Sequence, residues 1–439
     1  MKCILSNRIW GNRELDQPSI VDACTYKIPL SEYEAMLAKQ RGGMSYRVIK
    51  TYTRPASDVF SIPTGRIDLI PEGAEVLDKR TNLVLQAFPD FKFQDGLRES
   101  QKNCVDFALL HGSCIVRARP GWGKTFTALA IAAKLKQRTL IVVHTKKLAE
   151  QWREEIEKAL GITPGIIGDS QYALGDYITI GLIKSVYKHR MTIAKSFGLV
   201  VVDEVHHLPA EQFIGFINCS YAKHKIGMSG TLERVDKTHV LIFDYISRNV
   251  FFAPDENVMA PKVHIIEVPI DFDNIYGANY SAKVTELNND PMWWSVVAKI
   301  VNNYVDMGHK VLCVSDRTLS VNAIASRTGG FPYCYETPAE EKERCFAEMR
   351  AGNGTNIVGS QKIFSEGISE NYLSCLVLAF STKGPNLDQL MGRVIRQNPG
   401  KPQPIIVDIA LQGKVMQRHL RERIEQYENY GYHVTKFKV

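Results

Sequence analysis

Residues 113–125 combine a short apolar run, a glycine-rich turn and the start of an apolar helical pattern. The turn has the sequence ARPGWGKT over 118–125 and is followed by FTALAIAA, which favours a helix. Gly121 and Gly123 let the backbone curl so that several N–H groups point at one phosphate chain. The following helix adds the positive end of its dipole. The pattern therefore predicts a loop that holds the phosphates of a nucleotide.

The last two residues of this turn supply the chemistry of a nucleotide site. Lys124 is placed to reach the β- and γ-phosphates, and the Thr125 hydroxyl is placed to bind Mg²⁺. ATP and Mg²⁺ are therefore the expected cofactors. The first position of the pattern is Ala118 rather than glycine. A chance glycine turn that happens to contain Lys-Thr is the alternative, and the rest of the chain decides between the two.

A second apolar run, FGLVVVDEVHH over 197–207, ends in two carboxylates. Phosphoryl transfer to water needs a metal that neutralises charge and a group that orients and deprotonates the water. Asp203 is suited to hold Mg²⁺, and Glu204 is suited to act on the attacking water. The alternative is that both carboxylates are merely solvated where the strand meets a loop.

The composition is that of a globular protein, with 439 residues, 45% hydrophobic and 23% charged. This length predicts two to four domains. The net charge of +7 gives weak support to a nucleic-acid partner. Nine scattered cysteines without zinc spacing predict reduced thiols. No apolar run approaches the length of a membrane span, so we expect a cytoplasmic protein with no membrane partner.

The order of apolar runs predicts three domains, over 1–92, 93–255 and 256–439. The first has short extended runs and one helical run between turn signals, which favours a small α+β accessory domain. Apolar strands alternate with helical patterns in the other two, which predicts parallel sheets covered by helices. Strands are expected at 113–117, 138–143, 177–181, 198–203, 224–228, 263–268, 310–315, 355–359, 373–379 and 404–408. Helices are expected at 124–136, 146–160, 283–307, 338–349, 386–396 and 411–428.

Gly-Lys-Thr followed by Asp-Glu-x-His resembles the superfamily 2 helicases and translocases. The resemblance implies two tandem RecA-like α/β domains after the small α+β domain, and ATP hydrolysis that drives movement on DNA. Further segments resemble the family's motifs in order, over roughly residues 94–410. LRESQ at 97–101 is similar to the adenine-reading motif, which implies nucleotide contacts from Arg98 and Gln101. MSGT at 228–231 resembles the family's Ser-Ala-Thr motif.

The same resemblance assigns the remaining site residues. His206, Ser229 and Thr231 are implied to couple the nucleotide state to domain movement. DNA contacts are implied for Thr145, Lys184, Arg317 and Ser360, and a nucleotide contact for Gly367. The segment QLMGRVIR at 389–396 is similar to the last family motif, which implies catalytic roles for Gln389, Arg393 and Arg396. The two arginines are expected on one face of a helix as arginine fingers.

The Asp-Glu-Val-His-His variant and the small first domain look most like the UvsW, XPB and RecG-like branch of the superfamily. The compact size is similar to that of branch-migration helicases from T5-like phages. We therefore expect a phage DNA motor in the cytoplasm of the host cell. It would remodel branched DNA such as forks and four-way junctions, with replication or recombination proteins as partners. The alternatives are a conventional strand-separating helicase, a restriction-type motor subunit, an RNA helicase or a non-catalytic DNA-binding protein.

Two features outside these motifs are open to two interpretations. The basic side chains of the first domain either form a phosphate-contacting face or are simply solvated. Adjacent Trp293 and Trp294 either stack on bases or pack in the interior. The basic residues in question are Lys39, Arg41, Arg47, Lys50 and Arg54.

Overall fold

The chain divides into two compact units, Met1–Asp255 and Glu256–Val439. Each unit is built around parallel β-sheet, as the alternation of apolar runs predicted. The computed structural model describes residues 1–30, 32–92, 96–119, 121–232, 234, 236–256, 258–361, 370–380, 382 and 384–438.

The N-terminal part of the first unit is a small α+β region. Its five-stranded sheet has the order β5-β6-β2-β1-β7, antiparallel except for the β1–β7 pair, and β3 and β4 form a separate antiparallel pair. Ile9, Phe60 and Ile62 lie in its core. The elements are β1 Lys2–Leu5, β2 Arg8–Gly11, α1 Pro18–Ala23, β3 Thr25–Pro29, α2 Glu32–Gln40, β4 Tyr46–Lys50, β5 Thr53–Ala56, β6 Val59–Pro63 and β7 Glu75–Asp78.

The rest of the first unit is an eight-stranded sheet with helices. The strand order is β11-β10-β12-β9-β13-β14-β8-β15, and every pair is parallel except β10–β11. The elements are α3 Glu99–His111, β8 Cys114–Arg117, α4 Lys124–Leu135, β9 Thr139–Val143, α5 Lys146–Leu160, β10 Gly165–Gly168, β11 Gln171–Ala173, β12 Ile178–Leu182, α6 Ile183–Lys188, β13 Leu199–Asp203, α7 Glu211–Cys219, β14 His224–Ser229, α8 Val240–Tyr245 and β15 Val250–Phe252.

The sheet order explains where the predicted site residues meet. Strands β9, β13, β14 and β8 are consecutive neighbours and run in parallel. Their carboxyl ends therefore lie at one edge of the sheet, where ligands bind in α/β proteins of this type. The phosphate loop follows β8, Asp203 ends β13 and Ser229 ends β14. All five residues of β13 are buried, which matches its uninterrupted apolar sequence.

The second unit has a seven-stranded sheet in which every pair is parallel, in the order β18-β19-β17-β20-β21-β16-β22. The elements are β16 Lys262–Asp271, α9 Tyr280–Asn289, α10 Pro291–Asp306, β17 Val311–Ser315, α11 Thr318–Thr328, β18 Phe331–Tyr333, α12 Ala339–Ala351, β19 Asn356–Ser360, β20 Cys375–Leu378, α13 Pro385–Val394, β21 Ile405–Gln412, α14 Lys414–Asn429 and β22 His433–Lys438. The α/β fold class expected from the sequence is confirmed.

The predicted helix at 283–307 was wrong, because two helices occupy this stretch. The chain breaks at Asp290, whose Oδ1 accepts the Met292 N–H at 2.8 Å and so caps α10, and Pro291 occupies the first turn. Trp293 is 1% exposed and packs in the core of this unit. The Trp294 indole donates to the carbonyl of Asn288 at 2.8 Å. Both tryptophans therefore have packing roles.

All nine cysteines are free thiols, as their scatter predicted. Most lie in the interior, where burial raises the pKa of a thiol and keeps it protonated. Among the described residues, no helix has the length and apolar character needed to cross a membrane.

Candidate active site

The phosphate loop connects β8 to α4 with two glycines in the left-handed region. Gly121 has φ of +90° and Gly123 has φ of +97°, values that other residues adopt only under strain. Gly123 also has no room for a side chain, because a Cβ there would lie 2.4 Å from Nε2 of Gln101. Both glycines predicted from the sequence are therefore required by the backbone of the loop.

Lys124 and Thr125 occupy the first turn of α4, where the sequence placed them. The Lys124 ammonium group folds over the loop and donates to the carbonyl of Ala118 at 3.0 Å. The Thr125 side chain is half-buried beside it. A helix N-terminus, a lysine and a hydroxyl thus converge on the end of β8, which is the arrangement that binds nucleotide phosphates.

Arg98 and Gln101 lie against the phosphate loop. Both side chains donate to the carbonyl of Trp122, Gln101 from Nε2 at 3.1 Å. Gln101 Oε1 accepts the Arg98 backbone N–H at 3.0 Å, and the Gln101 side chain is almost fully buried. These contacts brace the loop at its centre. Adenine recognition by Gln101 stays a prediction. Because Nε2 and Oε1 each already form one hydrogen bond, adenine would have to use the second Nε2 proton and the second Oε1 lone pair.

The acidic pair lies at the end of β13. Asp203 is 8% exposed, and its Oδ2 accepts the indole N–H of Trp152 at 2.8 Å. Its Oδ1 accepts the backbone N–H of Glu204 at 2.9 Å. Glu204 itself has φ of +48°, an uncommon conformation for a residue with a side chain, and such strain concentrates at functional sites.

The two carboxylates differ in their electrostatics. Burial raises the pKa of Asp203, and the neighbouring charge of Glu204 adds to this effect. Burial also favours the protonated form of Glu204, but the hydrogen bond from His206 and the charge of Lys124 outweigh it and lower the Glu204 pKa. The Lys124 charge acts on both carboxylates, so the phosphate loop and the acidic pair share one site.

The three residues expected to couple nucleotide state to movement are joined by hydrogen bonds. His206 Nδ1 lies 2.8 Å from Ser229 Oγ and 3.3 Å from Glu204 Oε2. Ser229 Oγ donates to the Thr231 carbonyl at 2.5 Å and lies 3.4 Å from Glu204 Oε2. A continuous polar path therefore leads from Glu204 to the segment after β14.

The imidazole rings of His207 and His144 lie next to His206, with their planes tilted relative to one another. The His207 ring lies 4.2 Å from that of His206 and 4.3 Å from that of His144. Burial lowers the pKa of His207 to about 3, and the adjacent imidazoles add to this effect. His207 is therefore neutral at physiological pH. Nη1 of Arg234 donates a hydrogen bond of 2.6 Å to the carbonyl of His206. This bond fixes the turn that follows Glu204.

The residues expected to contact DNA from the first unit lie at the same edge of the sheet. Thr145 caps α5, and its hydroxyl accepts the Leu148 N–H at 3.2 Å. Lys184 is exposed in the first turn of α6, directly after β12. Thr145 follows β9, which is the neighbour of β13, and Lys184 follows β12, the next parallel strand beyond β9. Their contact with DNA stays a prediction.

In the second unit the expected DNA contacts also follow parallel strands. Arg317 is the N-cap residue that precedes α11, after β17. Its Nη1 donates to Asp316 Oδ2 at 2.6 Å, and its Nε lies 3.4 Å from the Thr285 hydroxyl. Ser360 ends β19, which pairs with β17. Gly367 lies outside the described residues.

The expectation that Arg393 and Arg396 share a helix face was wrong. Helix α13 ends at Val394, so it contains Gln389 and Arg393 but not Arg396. Arg396 forms an isolated antiparallel bridge with Val258. The N–H of Met259 donates a hydrogen bond of 2.7 Å to the carbonyl of Ile395, and this tertiary contact lies where the helix ends. Arg393 is buried, and burial lowers the pKa of Arg396.

Two residues that sequence reasoning did not assign belong to this site. Trp152 holds Asp203, and Arg234 holds the turn that contains His206. The only sequence signal for Trp152 is a tryptophan on the apolar face of a helix next to a predicted strand. Its partner lies 51 residues away, and no local spacing joins the two.

The chain is similar to helicases over most of its length. Residues 95–234 match the family model described as "Type III restriction enzyme, res subunit". The chain is 35% identical over 386 residues to "Probable helicase D10" of Escherichia phage T5, covering 86% of this chain and 85% of that one. It is 26% identical over 385 residues to "DNA 3'-5' translocase XPB2" of Sulfurisphaera tokodaii, covering 77% and 87% of the two chains.

The fold has counterparts among solved structures. The structure of S. cerevisiae Dbp5 bound to RNA and ADP BeF3 aligns with a TM-score of 0.55 at 13% identity, over 77% of this chain and 89% of that one. At this identity the likeness concerns the fold alone, and it supports the RecA-like assignment.

The phosphate loop, the acidic pair and the two parallel sheets define an ATP-dependent helicase, which is an ATP hydrolase. The chain belongs to the superfamily 2 helicases, in the family of the phage T5 helicase D10. It acts as a helicase or translocase in DNA metabolism.

Proposed function

We propose that this helicase remodels branched DNA, by branch migration and fork reversal, in replication, recombination or repair. The main support is the firm attachment of the N-terminal α+β region to the rest of the first unit, which contains the eight-stranded sheet and the phosphate loop. Asp244 on α8 is fully buried and accepts the hydroxyls of Tyr26 at 2.7 Å and Thr51 at 2.6 Å. Arg66 lies 3.4 Å from the same carboxylate.

A second contact reinforces this attachment. Arg8 on β2 donates from Nη1 to Asn218 Oδ1 at 2.6 Å, and its Nη2 donates to the carbonyl of Thr51 at 2.6 Å. The buried polar groups leave little freedom for the region to move on its own, because breaking them would leave unpaired charges in the interior. An accessory region held this way can keep one arm of a junction fixed while the motor steps along another.

Energetics favour this task for a compact motor. Each duplex step that is broken costs on average about 1.4 kcal/mol. At a branch point an equivalent step reforms, so the motor mainly supplies direction. A strand-separating helicase must instead meet the whole cost of each step.

The exposed basic residues of the N-terminal region are the proposed contacts for the phosphates of a branched substrate. Lys39, Arg41, Arg47 and Lys50 are exposed. Arg54 differs from them, because it forms two hydrogen bonds of 2.7 Å with Asp16. We therefore assign phosphate contact to the first four and a structural role to Arg54.

We assign roles at the nucleotide site from the geometry and the resemblance together. Lys124 binds the phosphates, and Glu204, whose low pKa keeps it ionised, orients and deprotonates the attacking water. Thr125 and Asp203 supply the hard oxygen ligands that Mg²⁺ prefers. Each oxygen of Asp203 accepts one hydrogen bond within the protein and keeps a second acceptor position for the metal or its water ligands. When bound, the metal neutralises phosphate charge.

The remaining assignments extend to the second unit and to DNA. Gln389, Arg393 and Arg396 are proposed to stabilise charge that develops on the γ-phosphate. Thr145, Lys184, Arg317 and Ser360 are proposed to hold backbone phosphates of the tracked strand. The name of the Sulfurisphaera tokodaii relative suggests movement from 3' to 5', and we propose the same direction here.

The proposal is tested with matched synthetic DNAs: a four-way junction, a replication fork and a tailed duplex. Product strands are followed with ATP, and Lys124→Ala and Glu204→Gln serve as controls that should lose DNA-stimulated ATP hydrolysis. We expect the junction and the fork to be processed in preference. Efficient unwinding of the tailed duplex alone would instead show a conventional strand-separating helicase.

A restriction-type motor subunit is the second candidate, because the family model that matches 95–234 bears that description. Such a motor would translocate along linear duplex without need of a branch. ATP hydrolysis stimulated equally by linear duplex and by the junction would favour this candidate.

A further inference from the structure

Arg119 and Asp255 form an ion pair that joins the phosphate loop to the end of the first unit. Arg119 Nε lies 2.9 Å from Asp255 Oδ1, and the two side chains are 19% and 51% exposed. Arg119 is the second residue of the loop sequence 118–125, and Asp255 is the last residue before the chain passes into the second unit. Neither residue has a role in the chemistry assigned above.

The sheet order explains why these two residues meet. Strand β15 is the edge strand beside β8 and runs parallel to it, with Phe252 opposite Arg117. One residue later, the N–H of Ala253 donates to the Arg117 carbonyl at 2.9 Å. The chain that leaves β15 therefore runs beside the start of the phosphate loop, and the ion pair extends this contact beyond the sheet.

Next to Arg119, the backbone carbonyl of Ala118 holds the Lys124 ammonium, which is the group that nucleotide phosphates would bind. Lys124 Nζ donates to the carbonyl of Ala118 at 3.0 Å, and Ala118 N donates to the Ser229 carbonyl at 3.0 Å. A phosphate group that engages the Lys124 ammonium competes with the Ala118 carbonyl for it. Phosphate binding therefore changes the contacts of Ala118, the residue directly before Arg119. The backbone N–H of Ala118 is at the same time held by Ser229 at the end of β14.

We propose that the Arg119–Asp255 ion pair transmits occupation of the phosphate loop to the chain segment that leads into the second unit. Asp255 is then a positioning residue for ATP-driven stepping, because it ties this segment to a loop whose contacts change with the nucleotide. The inference rests on the nucleotide-binding role of the loop proposed above.

The test compares Asp255→Asn and Arg119→Gln with the charge exchange that combines Arg119→Asp and Asp255→Arg. Asp58→Asn is the matched control, since Asp58 forms an exposed ion pair of 2.8 Å with Arg13 elsewhere in the first unit. ATP hydrolysis is measured with and without saturating DNA, together with the KM for ATP. For Asp255→Asn we expect a KM within about twofold of the unmodified protein and a DNA-stimulated kcat lowered about three- to fivefold, the size typical of one partly exposed ion pair.

The charge exchange should restore at least half of the lost stimulation, and Asp58→Asn should change nothing. An Asp255→Asn protein with unaltered stimulation would overturn the proposal, and so would a charge exchange no better than Arg119→Gln. The nucleotide site is tested separately by Lys124→Ala. If Lys124→Ala kept normal turnover, the site assignment would fail whatever Asp255→Asn does.

Discussion

The indole Nε1 of Trp152 donates a hydrogen bond of 2.8 Å to Oδ2 of Asp203. Trp152 belongs to α5, and Asp203 ends β13, so this bond joins a helix and a strand at the edge of the sheet where the phosphate loop lies. Burial raises the pKa of Asp203 to about 6, the charge of Glu204 adds to the increase, and the bond from Trp152 opposes it. Trp152 therefore favours the ionised carboxylate, which is the form that binds a metal.

Replacement of Trp152 by phenylalanine should move the acid limb of ATP hydrolysis to higher pH. Loss of the indole donor removes a bond to the charged form, so the pKa of Asp203 should rise further, by about one unit. The kcat should then fall about threefold near pH 6.5 and stay near its normal value at pH 8, where Asp203 is ionised in both proteins. The measurement is kcat at saturating ATP between pH 5.5 and 8.5, at a fixed Mg²⁺ concentration below saturation, because saturating metal would displace the proton from Asp203. Superimposable profiles would show that Trp152 has only a packing role.

Gln101→Ala should weaken nucleotide binding by removing one of the two donors to the Trp122 carbonyl. A single hydrogen bond of this kind is worth about 1 kcal/mol, so we expect the KM for ATP to rise about fivefold or more. The KM for GTP is measured in parallel. If Gln101 also contacts adenine, the KM for ATP should rise more than the KM for GTP. Equal increases in the two KM values would show that Gln101 only braces the loop.

Much of the first large sheet and its site could be predicted because local signals mark them. Helix α5 runs over Lys146–Leu160, as predicted, since Thr145 caps its start and Gly161 ends it in a left-handed conformation. The apolar run before Asp203 and Glu204 forms a fully buried strand, which its uninterrupted apolar sequence also signals locally. Local rules of this kind depend on residues within a few positions of each other.

The features that the sequence did not predict depend on distant residues. The end of α13 at Val394 accompanies a tertiary contact between Ile395 and Met259, which no pattern within 386–396 signals. The bond between Trp152 and Asp203 likewise depends on which strands are neighbours in the sheet. Strand order arises from packing of the whole unit, so contacts of this kind become visible only in the structure.

Ser229→Ala should uncouple ATP hydrolysis from movement on DNA. The Ser229 hydroxyl links His206 and Glu204 to the Thr231 carbonyl, and alanine removes this link while leaving Lys124 and Asp203 in place. We expect ATP hydrolysis within about threefold of normal and branch processing lowered about tenfold, a coupling free energy in the usual range. The measurement is the number of base pairs displaced per ATP hydrolysed. A constant ratio would show that Ser229 has no coupling role.

Lys225→Met should stabilise the first unit at acid and neutral pH. Lys225 on β14 is 2% exposed, and its ammonium donates to the Thr64 hydroxyl at 2.7 Å. Burial lowers its pKa from 10.5 to about 7, and the charges of Arg80 and Arg8 act in the same direction. Below pH 7 the folded protein therefore bears the full cost of a buried charge. Between about pH 7 and 10.5 the unfolded chain binds more protons, so stability rises with pH.

Methionine fills a similar volume without a charge. The free energy of unfolding should therefore increase by about 1 to 3 kcal/mol at pH 6, and by less at pH 9, where the lysine is neutral in the folded protein. Urea unfolding of both full-length proteins at pH 6, 7.5 and 9, followed by circular dichroism, measures this difference. Lys223→Met is the control, because Lys223 lies just before the strand and its substitution removes a charge outside the core. A gain that does not change with pH, or a loss at pH 6, would mean that the Lys225 ammonium is better solvated or better paired than its burial implies.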